Sequence, residues 1–250
     1  MSEPVNTARD GSTLIVTIDR PEALNALNRD VAAALEDSLG QLERTRDVSV
    51  VVLGGRGRAF CAGNDIAEMP ALSSSEAEAL SRRWQDLMDR FARLPQVTIA
   101  AVQGYALGGG CMLAAAQDLR IAERGAKFGL PEITLGFNPS YGIARLLDIV
   151  GGGHARELLL TGRTVDAAEA LRMGLVTRVV PDGTLERAAT DFAAEVARHP
   201  RGGLAATKAI VADIRAGRSG DAAQAYAAAL SADPEARARI AAFVSKKRRG

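Results

Sequence analysis

Gly104-Tyr105-Ala106-Leu107-Gly108-Gly109-Gly110-Cys111-Met112 is the stretch on which the reading of this chain turns. The residues before it, 97–102, are apolar and β-branched and read as a buried strand. The alanine-rich residues after it, 112–116, read as a buried helix. Glycines at such a junction let a ligand come close to the main chain. The start of a helix adds unpaired N–H groups and a partial positive charge. A corner of this kind is a receptor for a developing oxyanion. It serves equally well as a tight connection between packed elements. It is not a phosphate-binding P-loop, because no Lys-Ser/Thr pair follows. A second stretch has the same character: Gly57-Arg58-Ala59-Phe60-Cys61-Ala62-Gly63-Asn64-Asp65-Ile66, dense in small residues and placed after an apolar strand at 48–53.

Outward from these loops the periodicities alternate between strand and helix. Residues 13–18 are rich in β-branched side chains and read as a strand. Asn28 is placed to cap a helix with Val31, Leu35, Leu39 and Leu42 on one face. A stronger helix follows Ser75, where Ala77, Leu80, Trp84, Leu87, Met88, Phe91 and Leu94 keep a three-four spacing until Pro95 stops it. Residues 119–122 and 126–129 read as short strands. From His154 the chain is mainly helical, over 155–160, 167–173, 185–197, 204–214 and 235–247. Ser219-Gly220 and residues 231–234 read as turns. The expected organisation is therefore an α/β core, residues 1–180, and a helical C-terminal region, residues 181–250.

Composition narrows the function. With 47% apolar and 24% charged residues the chain packs as a globule rather than staying disordered. A formal net charge of +1 provides no field to hold nucleic acid or an anionic membrane. The one dense basic block, Lys246-Lys247-Arg248-Arg249, reads as a solvated tail. No apolar run approaches the roughly 20 residues that span a bilayer, and no signal segment opens the chain, so a cytoplasmic location is expected. Cys61 and Cys111 do not make a disulfide framework, and with His154 and His199 far apart a structural metal site is not expected. Chemistry is left to carboxylates, hydroxyls and the backbone.

Six stretches together resemble the crotonase superfamily, the enoyl-CoA hydratase/isomerase family. They are Arg20-Pro21-Glu22-Ala23-Leu24-Asn25-Ala26-Leu27, the two loops above, Phe128-Gly129-Leu130-Pro131-Glu132-Ile133, Leu160-Thr161-Gly162-Arg163 and Gly174-Leu175-Val176. They are collinear and span nearly the whole chain. The resemblance implies an α/β fold, a crotonase-type spiral of repeated ββα units with a helical C-terminal region. It implies a homotrimer or a dimer of trimers, an acyl-CoA thioester substrate, and no metal or other cofactor beyond the CoA of the substrate. It places the oxyanion-binding N–H groups at Asn64 and Gly109. It assigns CoA binding to Ala23, Leu24 and Ala26, to the backbone around Ala62, Asp65 and Ile66, and to Phe243 and Lys246 of the last helix, with Lys246 pairing a CoA phosphate and the helix sometimes coming from a neighbouring subunit.

The resemblance also exposes a departure. Hydratases of the family hold the attacking water with two glutamates. One is present as Glu132, whereas Met112 stands at the other position. A thioether is a weak acceptor that does not titrate, although on an alanine-rich helix Met112 also fits as core filler. A single carboxylate suffices to shuttle a proton from C2 to C4, so isomerisation of a 3-enoyl-CoA to the 2-enoyl-CoA is the leading expectation. Leu130, Ile133 and Met112 would surround Glu132 with apolar groups and raise its pKa. An atypical hydratase is the alternative. Asn138, Ser140 and Tyr141, in a segment less glycine-rich than is usual for the family, leave thioester hydrolysis or decarboxylation open. A catalytically silent CoA-binding scaffold is a reading of another class.

Overall fold

The computed structural model describes residues 3–218 and 221–247. The expected turn at Ser219-Gly220 lies outside the described residues, as do Arg248, Arg249 and the side chains of Lys246 and Lys247.

In chain order the strands are β1 (Val5–Asp10), β2 (Thr13–Ile18), β3 (Val50–Gly55), β4 (Val97–Val102), β5 (Tyr105–Leu107), β6 (Leu119–Glu123), β7 (Lys127–Gly129), β8 (Thr164–Asp166) and β9 (Arg178–Val180). The helices are α1 (Arg29–Arg44), α2 (Ser74–Arg93), α3 (Gly109–Ala116), α4 (Ile143–Thr161), α5 (Ala167–Arg172), α6 (Leu185–Ala197), α7 (Arg201–Arg215), α8 (Ala222–Ala232) and α9 (Pro234–Lys247). Six strands form one sheet in the order β1-β2-β3-β4-β6-β9, antiparallel at the β1–β2 edge and parallel elsewhere. A second sheet has the order β5-β7-β8.

The two sheets record a ββα rhythm. β4 enters the large sheet, β5 the small one, and α3 follows; β6 and β7 then repeat the step before α4. Single parallel bridges, Cys61 to Ala106 and Leu27 to Asn64, carry the same step back into the preceding turns of the spiral. Each turn thereby hands its second, shorter strand to the next. β5 and β7 run parallel, so the segments that leave them lie on one side, where the candidate site is found.

The central strands of the large sheet, β3, β4 and β6, are buried on both faces, as parallel strands with helical crossovers require. Along β3, Val51 and Leu53 join the core that holds Leu35, Leu39, Trp84 and Phe91. Val50 and Val52 point the other way, toward Leu185, Phe192 and Ala193 of α6. Asn28 caps α1 by accepting from the Val31 N–H, as its position predicts. The cap of α2 lies earlier than expected: Ser73 forms a reciprocal capping box with Glu76. α4 breaks at Gly151, where φ is 73°.

The stretch expected to be a turn, residues 104–110, contains β5, because Tyr105–Leu107 pairs with β7 on one side and Cys61 on the other. β1 was not foreseen: five of its six residues are exposed, so no buried alternation marks it. Among the described residues no helix is long and apolar enough to cross a membrane.

Candidate active site

The main chain of residues 61–65 is held from two sides. Cys61 donates to the Tyr105 carbonyl (2.9 Å) and accepts from the Leu107 N–H (3.0 Å). Leu27 donates to the Gly63 carbonyl (2.8 Å), and Asp65 donates to the Leu27 carbonyl (2.9 Å). In a parallel bridge of this kind Gly63 and Asp65 make the bonds, so the N–H of Asn64 between them faces away from Leu27. Among the described residues it has no protein acceptor, and neither has the N–H of Gly109, the first residue of α3. The two loops touch here. A Cβ on Gly63 would stand 3.6 Å from the Gly109 nitrogen, and one on Gly109 would stand 2.6 Å from Asn64 Oδ1 and overlap the Tyr141 hydroxyl. Two unpaired backbone donors thus converge at a helix N-terminus, which is the arrangement an oxyanion needs.

Glu132 approaches from the short 3-10 turn Pro131–Leu135, closed by Gly136 in the left-handed region at φ 87°. Its Oε1 lies 2.9 Å from the place a Cβ on Gly108 would occupy, so glycine at 108 leaves room for the carboxyl. Oε2 is buried and has no hydrogen-bond partner among the described residues. Burial holds the Glu132 pKa above the ordinary carboxylate value. Glu132, Met112, Asn64, Gly109 and Tyr141 line one cavity of about 580 Å³. Its remaining wall combines Leu27, Met69, Leu72, Leu80 and Trp84 with the charged Asp65, Glu68, Glu78 and Arg82. Cys61 and Cys111 are close by but inert: burial pushes both thiols up to about 12.

Tyr141 is 5% exposed, stacks on Trp84 with ring centroids 6.4 Å apart, and donates to Asn64 Oδ1 at 2.5 Å. Burial raises its pKa far above the usual phenol range, with the charge of Glu132 adding to the shift, so the hydroxyl stays a neutral donor. Asn138 and Ser140 also line the cavity.

The residues expected to hold CoA form one rim. Ala62 donates to the Leu24 carbonyl (3.0 Å), so Ala23–Ala26 is fastened to the 61–65 loop. Arg20 clamps both by donating to the Ala26 carbonyl (2.6 Å) and pairing with Asp65 (3.1 Å). Leu24 and Asn25 adopt positive φ, 51° and 59°. Asn25 holds this bend: fully buried, it donates to the carbonyls of Arg56 and Ala59 and accepts from the Arg20 N–H. Ile66 is left 61% exposed beside the rim. Phe243 is not brought to this cavity: it sits 71% exposed on α9, which packs mainly on α8. The Lys246 side chain lies outside the described ones.

Several residues of the site escape a reading of the sequence. Trp84 scans only as a member of the helix core face. Glu68 lines the cavity with no side-chain partner among the described residues, and in sequence it is one acid in a polar stretch. Arg20 and Asn25 lie inside a motif quoted above, but only the fold shows that they shape the rim.

Comparison with known proteins agrees with this architecture. Solved structures with the same arrangement include an enoyl-CoA hydratase from Bacillus anthracis, with a TM-score of 0.90, 31% identity and coverage of 97% of this chain and 96% of that one. The fold is thus the mixed α/β crotonase fold. The family model described as enoyl-CoA hydratase/isomerase matches residues 8–246. A short-chain-enoyl-CoA hydratase of Clostridium acetobutylicum is 40% identical over 190 residues, 75% of this chain and 73% of that protein. A probable enoyl-CoA hydratase of Rhizobium meliloti is 48% identical over 183 residues, 71% of this chain and 69% of that protein. The chain belongs to the enoyl-CoA hydratase/isomerase family and is an enzyme of it.

Proposed function

We propose that this enzyme converts a 3-enoyl-CoA to the conjugated 2-enoyl-CoA, with Glu132 as its single acid–base. The observation that carries the reading is the buried, partnerless Oε2 of Glu132 in a cavity whose facing helix presents Met112. The thioester oxygen sits between the N–H groups of Asn64 and Gly109. Glu132 takes a proton from C2, and the electron pair of that C–H bond moves onto the thioester oxygen. The resulting dienolate collapses with the double bond shifted, and the same carboxyl returns the proton at C4. A raised pKa suits a group that must take up and release a proton in one turnover.

The rim formed by Ala23–Ala26 and the main chain of Ala62, Asp65 and Ile66 would hold the CoA. We assign residues 1–180 to the acyl-CoA-binding core and residues 181–250 to oligomerisation and completion of the CoA site. Phe243 and Lys246 would reach the CoA of a neighbouring subunit in a homotrimer or a pair of trimers. No cofactor beyond CoA enters the scheme, and a cytoplasmic location suits it.

Hydration of a 2-enoyl-CoA is the second reading. It is favoured by the names of the relatives and by Glu68, a second carboxylate in the same cavity lining. Side-by-side turnover of 3-enoyl-CoA and 2-enoyl-CoA substrates separates the two. Fast conversion of the first with negligible hydration of the second is expected; the reverse result overturns isomerisation.

A further inference from the structure

We propose that the Tyr141 hydroxyl is a third donor to the oxyanion, acting beside the N–H groups of Asn64 and Gly109. The inference rests on the oxyanion reading above and adds a side chain to a pocket otherwise made of backbone.

The geometry comes from Gly109. A Cβ built there would overlap the Tyr141 oxygen. An ideal Cβ lies about 2.5 Å from its own nitrogen, so the hydroxyl is within about 5 Å of the Gly109 nitrogen. Two donors that share one acceptor at about 2.9 Å each stand at a comparable separation. An oxygen bonded by the Gly109 N–H is therefore within reach of the phenol. The ring cannot easily swing away, because it is buried and stacked on Trp84. The phenol keeps its proton, because burial and the neighbouring Glu132 charge both disfavour the phenolate.

In the structure that proton is given to Asn64 Oδ1. A half-turn of the Asn64 side-chain amide exchanges Oδ1 for Nδ2. The amide then donates to the phenol oxygen, and the phenol donates to the oxyanion. The chain of donors runs from Asn64 through Tyr141 to the thioester oxygen, and no proton changes owner. The interaction strengthens as charge builds on that oxygen, so it acts on the enolate more than on the bound thioester. Glycine at 109 is what admits the hydroxyl to this position.

The test uses Tyr141→Phe, which keeps the ring and its stacking, and two CoA thioesters read without turnover. Acetoacetyl-CoA reports enolate stabilisation through the near-ultraviolet absorbance of its enolate. Butyryl-CoA, which forms no appreciable enolate, reports ground-state binding. Wild type is expected to enrich the acetoacetyl-CoA enolate. In Tyr141→Phe the bound ratio of enolate to ketone should fall about 10²-fold, the scale of a lost oxyanion donor. Butyryl-CoA affinity should change less than threefold. With 3-enoyl-CoA, kcat should fall by the same factor while KM holds. An unchanged enolate ratio in Tyr141→Phe overturns the inference, and so does an equal loss for both thioesters, which would mean the phenol only supports the pocket. If wild type itself fails to enrich the enolate, the two-N–H oxyanion reading fails first.

Discussion

Replacing Gly109 by alanine adds one methyl group at the point where the two loops meet, and its two effects can be weighed separately. The backbone at 109 is not among the positive-φ positions and begins α3, so alanine suits its conformation. In a helix interior that change is worth up to about 1 kcal/mol, and less at the first position. Against it, the new Cβ lies 2.6 Å from Asn64 Oδ1 and overlaps the Tyr141 hydroxyl. Both obstacles are side-chain ends that can yield, so an overpacking cost of about 1–3 kcal/mol applies. The net loss of stability is roughly 0–3 kcal/mol, and the protein folds. The catalytic effect is larger. Moving Asn64 and Tyr141 aside and crowding the Gly109 N–H removes at least one oxyanion donor, which corresponds to about 10²–10³ in kcat. Gly110→Ala is the contrast: its Cβ would overlap the Cys61 carbonyl, which is fixed by accepting from the Leu107 N–H, so loss of folding is expected instead. The assay is kcat on saturating 3-enoyl-CoA alongside thermal unfolding of both variants. A Gly109→Ala protein that melts near wild type and retains activity within tenfold refutes the placement of the oxyanion at Gly109.

Glu132→Gln should lower turnover by about 10²–10⁴-fold while acyl-CoA still binds, measured by steady-state kinetics and calorimetry. The same variant should alter stability with a definite sign. The folded-state pKa of Glu132 is raised above 4.5, so its contribution to stability is fully present at acidic pH and is lost as pH rises through the folded value. Relative to Glu132→Gln, the wild-type melting temperature should therefore fall as pH rises from below 4.5 to neutral, and a flat difference would contradict the burial of this carboxyl. Asn25→Leu strands the Arg56 carbonyl and the Arg20 N–H, while the Ala59 carbonyl still accepts from Gln103, and should cost about 2 kcal/mol in urea unfolding. Met112→Glu places a second carboxylate across from Glu132, and hydration of 2-enoyl-CoA should rise by at least about tenfold, followed by loss of the enoyl absorbance.

The sequence made legible whatever repeats along the chain or obeys a local rule. α1 and α2 declare themselves through apolar spacing and through Asn28 and Pro95, and β4 through an unbroken apolar run. The glycine run was legible as a corner between a buried strand and a buried helix for a local reason too, and Gly109 does begin α3. What escaped depends on pairing between distant segments. β5 is short and glycine-flanked, and it becomes a strand only because Cys61 and β7 lie on its two sides. Glu68 and Trp84 gain a place in the site only when the spiral brings residues 64–84 against residues 132–141. Phe243 was named by motif spacing, and within one chain it stays exposed on α9, away from the cavity lining.

The pocket divides its work between parts that can and cannot change by substitution. Backbone donors at Asn64 and Gly109 persist under almost any replacement that leaves the loops folded, and their aim is set by bridges at Leu27 and Cys61 far along the chain. Side chains around them change freely, and in the proposed reaction they decide what becomes of the enolate. Here a thioether occupies one wall, a partnerless carboxyl stands at another, and a phenol leans on the glycine between. Removing a carboxylate from an apolar cavity also removes the repulsion that would push the pKa of its neighbour higher still. Burial raises the Glu132 pKa, and in the proposed isomerisation that suits a group that takes a proton from C2 and returns it at C4. In the proposed isomerisation Met112 withholds an anchor for water on one wall, while Glu68 keeps a second carboxylate in the same cavity lining.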